Sequence, residues 1–143
     1  MKNEFRLIVY DGDLTTQVLG YAEQLANAQG IHISEDKELR AYIEHNNDIV
    51  AVLYVTSDFR NCFSFDVVVA KSVQRKGLGV RLVDFAIQEY EYLKQTADAL
   101  DYGELEYCVE VVSNAMRRLL EKKGFYVYDE DERLGAWMMR KDG

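Results

Sequence analysis

Phe63-Ser64-Phe65-Asp66-Val67-Val68-Val69-Ala70-Lys71-Ser72-Val73-Gln74-Arg75-Lys76-Gly77-Leu78-Gly79-Val80-Arg81-Leu82 is the stretch on which the fold turns. Residues 63–69 are mostly β-branched and aromatic, the composition of a strand. Further on, Leu82, Val83, Ala86, Ile87, Tyr90 and Leu93 recur at spacings of three and four, the buried stripe of a long helix. Gln74 to Gly79 therefore lies between a strand and a helix N-terminus, where backbone N–H groups lack intrahelical partners and the helix dipole favours an anion. Gly77 and Gly79 permit a sharp turn and a close approach of backbone to ligand. Lys71, Arg75, Lys76 and Arg81 place four cations within eleven residues that hold no acid, in a chain of formal charge −8. A diphosphate is the ligand this chemistry fits. A basic helix start with two turn glycines and no ligand accounts for the same residues and remains open. Two other phosphate loops do not fit: there is no GxxxxGK[ST] string, and Leu82 stands where the third glycine of GxGxxG would be.

Working outward, Arg6 to Tyr10 reads as a strand stopped by Asp11-Gly12, and Asp13 as the N-cap of a helix. Leu14, Val18, Tyr21, Ala22, Leu25 and Ala26 form that helix's apolar face, and Gly30 closes it. Residues 31–39 are ambiguous, with a short helix starting at Ser34-Glu35-Asp36 as one reading. Arg40 to His45, the turn Asn46-Asn47-Asp48, and Ile49 to Val55 read as a hairpin. Its second arm is almost continuously apolar, as in a strand covered on both faces. Ser57 to Asn61 turns the chain into Phe63. The long helix is expected to fray over residues 95–103. Leu105 to Val111 reads as a strand on which Glu106, Cys108 and Glu110 share a face. Ser113 or Asn114 caps a helix carrying Met116, Leu119 and Leu120 and ending at Gly124. Phe125 to Tyr128 and Ala136 to Met139 form the last strands, joined by the acidic segment Asp129 to Glu132. The order is that of an α/β (α+β) domain with a central mixed, mostly antiparallel sheet flanked by helices.

The 143 residues suit one domain, 1–143. With 17 basic and 25 acidic residues, the chain is not a general nucleic-acid coat, which would be basic. No apolar run approaches the ~18 residues of a membrane span, and the first residues show no signal-peptide core. Two cysteines without a CxxC and two distant histidines argue against a disulfide scaffold and a structural metal. Proline is absent, and no linker or repeat is visible. A cytoplasmic protein without nucleic-acid or membrane partners is expected.

Val69 to Gly79, with the valine five residues before Gln74, resembles the [QR]-x-x-G-x-[GA] acetyl-CoA loop of the GCN5-related N-acetyltransferase (GNAT) superfamily. Asn114 to Phe125 resembles that superfamily's second signature, an Asn near the end of the next strand and a helix ending in Gly-Phe. The element order is similar over nearly the whole chain. The resemblance implies a GNAT-like fold and an N-acetyltransferase that uses acetyl-CoA, without metal, on a small-molecule or peptide amine; it allows a homodimer. It further implies that backbone groups of Val67, Val68 and Val69 pair with the pantetheine arm. Amides from Arg75 through Lys76, Gly77, Leu78 and Gly79 to Val80 would hold the pyrophosphate. Gln74, Arg75, Lys76 and Arg81 supply side-chain contacts, and Asn114 touches the cofactor arm or serves only as a helix cap. Ser113 takes the Asn role in a frame shifted by one residue.

The chain departs from the superfamily at the catalytic positions. Leu120 stands where its tyrosine acid lies, four residues before Gly124, and Phe63 and Phe65 stand where some members carry a base. Alternation turns Asp66 to the face opposite Phe63, Phe65 and Val67. This does not exclude catalysis. A general base contributes ~10²–10⁴-fold, whereas holding amine and thioester in attack geometry supplies ~7–11 kcal/mol. No catalytic residue is assigned: Glu106 and Glu110 are the weak candidates for anchoring a water that leads the amine's proton away, and a solvated or structural role is the favoured reading of both. Cys108 reads as packing. Residues 84–110 hold eight acids and one base, a field that attracts a cationic acceptor or simply confers solubility. The rival reading is a non-catalytic acyl-CoA sensor that kept the loop and lost its acid and base.

Overall fold

In a computed structural model of the chain, residues 4–10, 16–31, 33, 37–56, 62–99, 106–107, 109–111, 114–131 and 136–140 are described. The elements run β1 (Arg6–Val9), α1 (Thr16–Ala28), β2 (Lys37–His45), β3 (Asp48–Thr56), β4 (Cys62–Phe63), β5 (Phe65–Val69), a single 3₁₀ turn (Lys71–Val73), α2 (Leu78–Ala99), β6 (Glu106–Tyr107), β7 (Val109–Val111), α3 (Asn114–Lys122), β8 (Tyr126–Asp131) and β9 (Ala136–Arg140). Strands β1-β2-β3-β5 form one antiparallel sheet, β7-β9-β8 a second, and β4 pairs in parallel with β6. The mixed, mostly antiparallel α/β architecture is the one expected.

Local chemistry explains most boundaries. Asn46 and Asn47 adopt φ of 52° and 68° between His45 and Asp48. Two consecutive left-handed residues make the tight hairpin turn whose twist suits flanking strands. Both α1 and α3 end in left-handed glycines, Gly30 at φ 71° and Gly124 at φ 96°. The bonds Ile31 N to Ala26 O (2.9 Å) and Phe125 N to Leu120 O (2.9 Å) close these ends as Schellman motifs.

β3 is buried on both faces, as its apolar run predicts. Ala51, Leu53 and Val55 join Ala41, Ile43 and Phe65 under Leu82, Val83, Ala86 and Tyr90 of α2 and Leu120 of α3. Val52 and Tyr54 join Leu39, Tyr42 and Val68 under Ala22 and Ala26 of α1. The sheet is thus the middle layer, with α1 on one face and α2 and α3 on the other.

Three expectations need correction. The strand over 63–69 is broken at Ser64: its first part pairs with β6 and its second with β3. Within the strand expected over 105–111, Glu106 and Tyr107 pair with β4 and Val109 to Val111 with β9, while Cys108 lies outside the described residues. α2 continues to Ala99 instead of fraying at residue 95, since no glycine or proline interrupts residues 80–102. Asp129 to Asp131 lie within β8 rather than in a loop, where an exposed edge strand tolerates charge. Lys37 to Leu39 are strand; Asp13, residues 34–36 and residues 57–61 lie outside the described residues.

Candidate active site

The two sheets part where β5 and β7 leave the short β4–β6 pairing, and both strands stand at the edges of their sheets. The register decides which groups of β5 face the resulting notch. Ala70 N–H donates to Val50 O at 2.8 Å. Hydrogen-bonded pairs alternate along an antiparallel ladder, so Val68 with Val52 and Asp66 with Tyr54 are the next such pairs. The backbone of Val68 is therefore turned into the sheet, whereas N–H and C=O of Val67 and Val69 point out of its edge. The Val69 carbonyl accepts from Gln74 Nε2 at 3.3 Å, which folds the following loop back on the strand. Of the three valines singled out from sequence, two thus present backbone groups to the notch.

The loop after β5 is pinned at both ends by buried side chains, Val73 (7% exposed) and Leu78 (2%), with Gln74 to Gly77 exposed between them. Arg75 and Gly77 both take left-handed backbone, at φ 68° and 78°. For glycine this costs nothing steric; for Arg75 it costs on the order of 1 kcal/mol. Arg81 N–H donates to Gly77 O at 3.1 Å, the first turn of α2, which leaves N–H of Leu78, Gly79 and Val80 without intrahelical acceptors. A Cβ built on Gly79 would meet only Val69 Cγ2, at 3.8 Å. Open space thus lies above the helix N-terminus, next to the free edge of β5. The edge, the N–H groups and the cations fit an amide-bearing arm that ends in a diphosphate.

The cations divide. The side chains of Lys71, Arg75 and Lys76 are exposed and form no hydrogen bond or ion pair among the described residues. Arg81 instead donates Nη1–H to Phe5 O at 2.8 Å, tying the first turn of α2 to the N-terminal strand. Phe5 stacks on His45 at 4.1 Å between ring centroids. Asn114 is the first residue of α3; Ser113 and Cys108 lie outside the described residues. Glu106 sits on β6 opposite Cys62, and Glu110 on β7 opposite Met138. Leu120 is fully buried, and Phe65 meets Phe125 edge-on at 6.4 Å, so hydrophobic core fills one face of β5 beside the notch.

The other face of β5 carries a polar group that sequence reasoning did not assemble. Lys37 Nζ lies 2.8 Å from Asp66 Oδ2, joining β2 to β5 across β3. Tyr54, beside Asp66 in register, is 5% exposed, and its hydroxyl has no hydrogen-bond partner among the described residues. Burial, aided by the negative charge of Glu23 on α1, pushes the Tyr54 hydroxyl up to about 12. Lys37 and Asp66 lie 29 residues apart, so no local pattern announces the pair.

This architecture has known counterparts. The ribosomal-protein-S18-alanine N-acetyltransferase of Escherichia coli superposes with a TM-score of 0.65 at 18% identity, over 96% of this chain and 93% of that one. The PaiA N-acetyltransferase of Thermoplasma acidophilum, solved in complex with coenzyme A, gives 0.66 at 13% identity, over 98% and 99%. A Bacillus subtilis acetyltransferase, also in complex with CoA, gives 0.61 at 17%, over 98% and 99%. Among curated protein sequences none matches the chain. A sequence model of the acetyltransferase (GNAT) family matches residues 14–125, spanning α1, the β5 loop and α3 up to Phe125. The chain belongs to the GNAT acetyltransferase family, whose members transfer acyl groups from acetyl-CoA.

Proposed function

We propose that this protein is an acetyl-CoA-dependent N-acetyltransferase that acetylates a primary amine by direct attack within a ternary complex. The observation that supports this best is the free edge at Val67 and Val69, which runs straight into three unpartnered N–H groups at Leu78, Gly79 and Val80. The pantetheine amides extend the sheet as an extra strand along that edge. The pyrophosphate lies on the start of α2, with Gln74, Arg75 and Lys76 around it and the arm passing Asn114. Arg81 contributes through the Phe5 clasp rather than by touching phosphate. A backbone N–H of the central strand, that of Val67, polarises the thioester carbonyl. The amine nitrogen forms the new C–N bond, the C–S bond breaks, and the thiolate leaves. The amine's proton passes to water. The thiolate of a thiol with pKa ~8.5 needs no dedicated acid near neutral pH. Glu106 and Glu110 serve at most to position water. A cytoplasmic setting belongs to the same reading; among the described residues no helix is long and apolar enough to cross a membrane.

A second reading, an acyl-CoA sensor without turnover, is favoured by one observation: the side chains at the superfamily's acid position and at one of its base positions, Leu120 and Phe65, are both committed to the core. Two measurements separate the readings. Acetyl-CoA at a hundred times Kd stabilises the fold by ~2.7 kcal/mol under either; a flat calorimetric titration refutes both. Acetylation of an amine panel occurs only under the first.

A further inference from the structure

The start of α2 is held by a chain of contacts that begins at the β2–β3 hairpin turn. In the β1–β2 ladder Arg6 faces Glu44 and Leu7 faces Ile43, so one step further along Phe5 faces His45. Alternation puts both rings on the side of Leu7 and Ile43, which is the side that α2 covers. The rings stack, with centroids 4.1 Å apart and an interplanar angle of 9°. His45 Nδ1–H donates to Glu4 O at 3.1 Å; a carbonyl only accepts, so Nδ1 carries the hydrogen and Nε2 accepts from Asn46 Nδ2 at 3.3 Å. Asn46 is itself set in the left-handed hairpin turn, at φ 52°. Glu4 and Phe5 are thereby seated on the hairpin, and Arg81 Nη1–H donates to Phe5 O at 2.8 Å.

The same arginine closes the first turn of α2, its backbone N–H donating to Gly77 O at 3.1 Å. That turn carries the unpartnered N–H groups of Leu78, Gly79 and Val80. The loop before it gives little support, since Gln74 to Gly77 are exposed. We infer that Arg81 and His45 are positioning residues for the cofactor: His45 seats Phe5, and Phe5 holds the guanidinium that keeps the first turn of α2 aimed at the pyrophosphate. This rests on the acetyltransferase reading. Amides fixed before the ligand arrives bind it without a further ordering cost.

CoA is titrated by calorimetry into the original protein, Arg81→Met, His45→Ala and the double variant. Titrations are run at about 0.15 M and about 1 M salt, between which the Debye length falls from ~8 to ~3 Å. Thermal denaturation of each free protein checks its fold. Arg81→Met is expected to weaken CoA about ten-fold and His45→Ala about three-fold, each by the same factor at both salt concentrations. The double variant is expected to bind no more weakly than Arg81→Met, because His45 acts only through the clasp. Arg40→Met, which breaks the 2.7 Å pair with Glu89 further along α2, should at most lower the melting temperature and leave CoA affinity unchanged. A merely structural Arg81 would follow that pattern. Three results overturn the inference: losses that multiply in the double variant, affinity indifferent to both single variants, or an Arg81→Met loss that vanishes at high salt, which would mark direct contact with phosphate. If His45→Ala does not fold, the salt dependence of Arg81→Met, an exposed side chain, still decides. A flat titration of the original protein overturns the acetyltransferase reading itself, so the two failures are distinct.

Discussion

Replacing Gly79 tests whether backbone or side chains hold the cofactor's phosphates. In the free protein a Cβ at this position meets only Val69 Cγ2 at 3.8 Å, an ordinary contact, and valine is no worse than glycine inside a helix. Gly79→Val should therefore leave the free protein's melting temperature within a few degrees of the original. Gly79 lies between Leu78 and Val80, so a side chain there would stand in the open space beside their unpartnered N–H groups. A hydrogen bond to a charged acceptor is worth ~1.5–3 kcal/mol. Losing one or two as the diphosphate is pushed away should weaken CoA ten-fold at the least and more than a hundred-fold at the upper end. Arg75→Ala removes one exposed, screened charge, worth up to ~1 kcal/mol or about five-fold, and leaves the left-handed backbone in place. Calorimetric titration of CoA into both variants, with thermal denaturation of each free protein, gives the comparison. If Arg75→Ala or Lys76→Ala costs as much affinity as Gly79→Val with all folds intact, side-chain charge holds the phosphates and the backbone argument fails.

Leu120→Tyr should not restore a missing acid: Leu120 is fully buried, so the larger ring overpacks the core by ~1–3 kcal/mol, visible as a lower denaturation midpoint without a gain in turnover. Tyr54 should make the protein sensitive to alkali. Its folded pKa of about 12 exceeds the unfolded 10.0, so its contribution is fully present below pH 10 and is lost as pH rises from 10 to 12, by ~2–3 kcal/mol. Tyr54→Phe should abolish that part of the slope, and identical slopes in the two proteins would refute it. Glu106→Gln and Glu110→Gln should each reduce turnover by less than about 10²-fold, with activity climbing toward the acceptor's own pKa; a larger loss in either, or an alkaline limb that vanishes in Tyr126→Phe, would identify a true base or acid.

The valine strand, the Gln74 to Gly79 loop, the helix after it and the Gly-Phe helix end were all legible in the chain. Each is a local property: β-branched residues, two glycines, three-four periodicity and a left-handed closing residue act within a few positions of one another. Local pattern likewise placed the hairpin at Asn46-Asn47 and the double burial of β3. It overextended at Ser64, because alternation continues across a break that only a change of hydrogen-bonding partner reveals.

The order of elements, the glycine-bearing loop before α2 and the leucine at position 120 were thus determined by sequence alone, since each depends on residue type and spacing. Which valines face the notch, where Arg81 goes, and the meeting of Lys37, Tyr54 and Asp66 were decided by tertiary structure. The first follows from ladder phase, set by how β3 docks on β5. The others join residues 76 and 29 positions apart, and a contact across such a separation is fixed by sheet register and helix packing, which no short window of sequence contains.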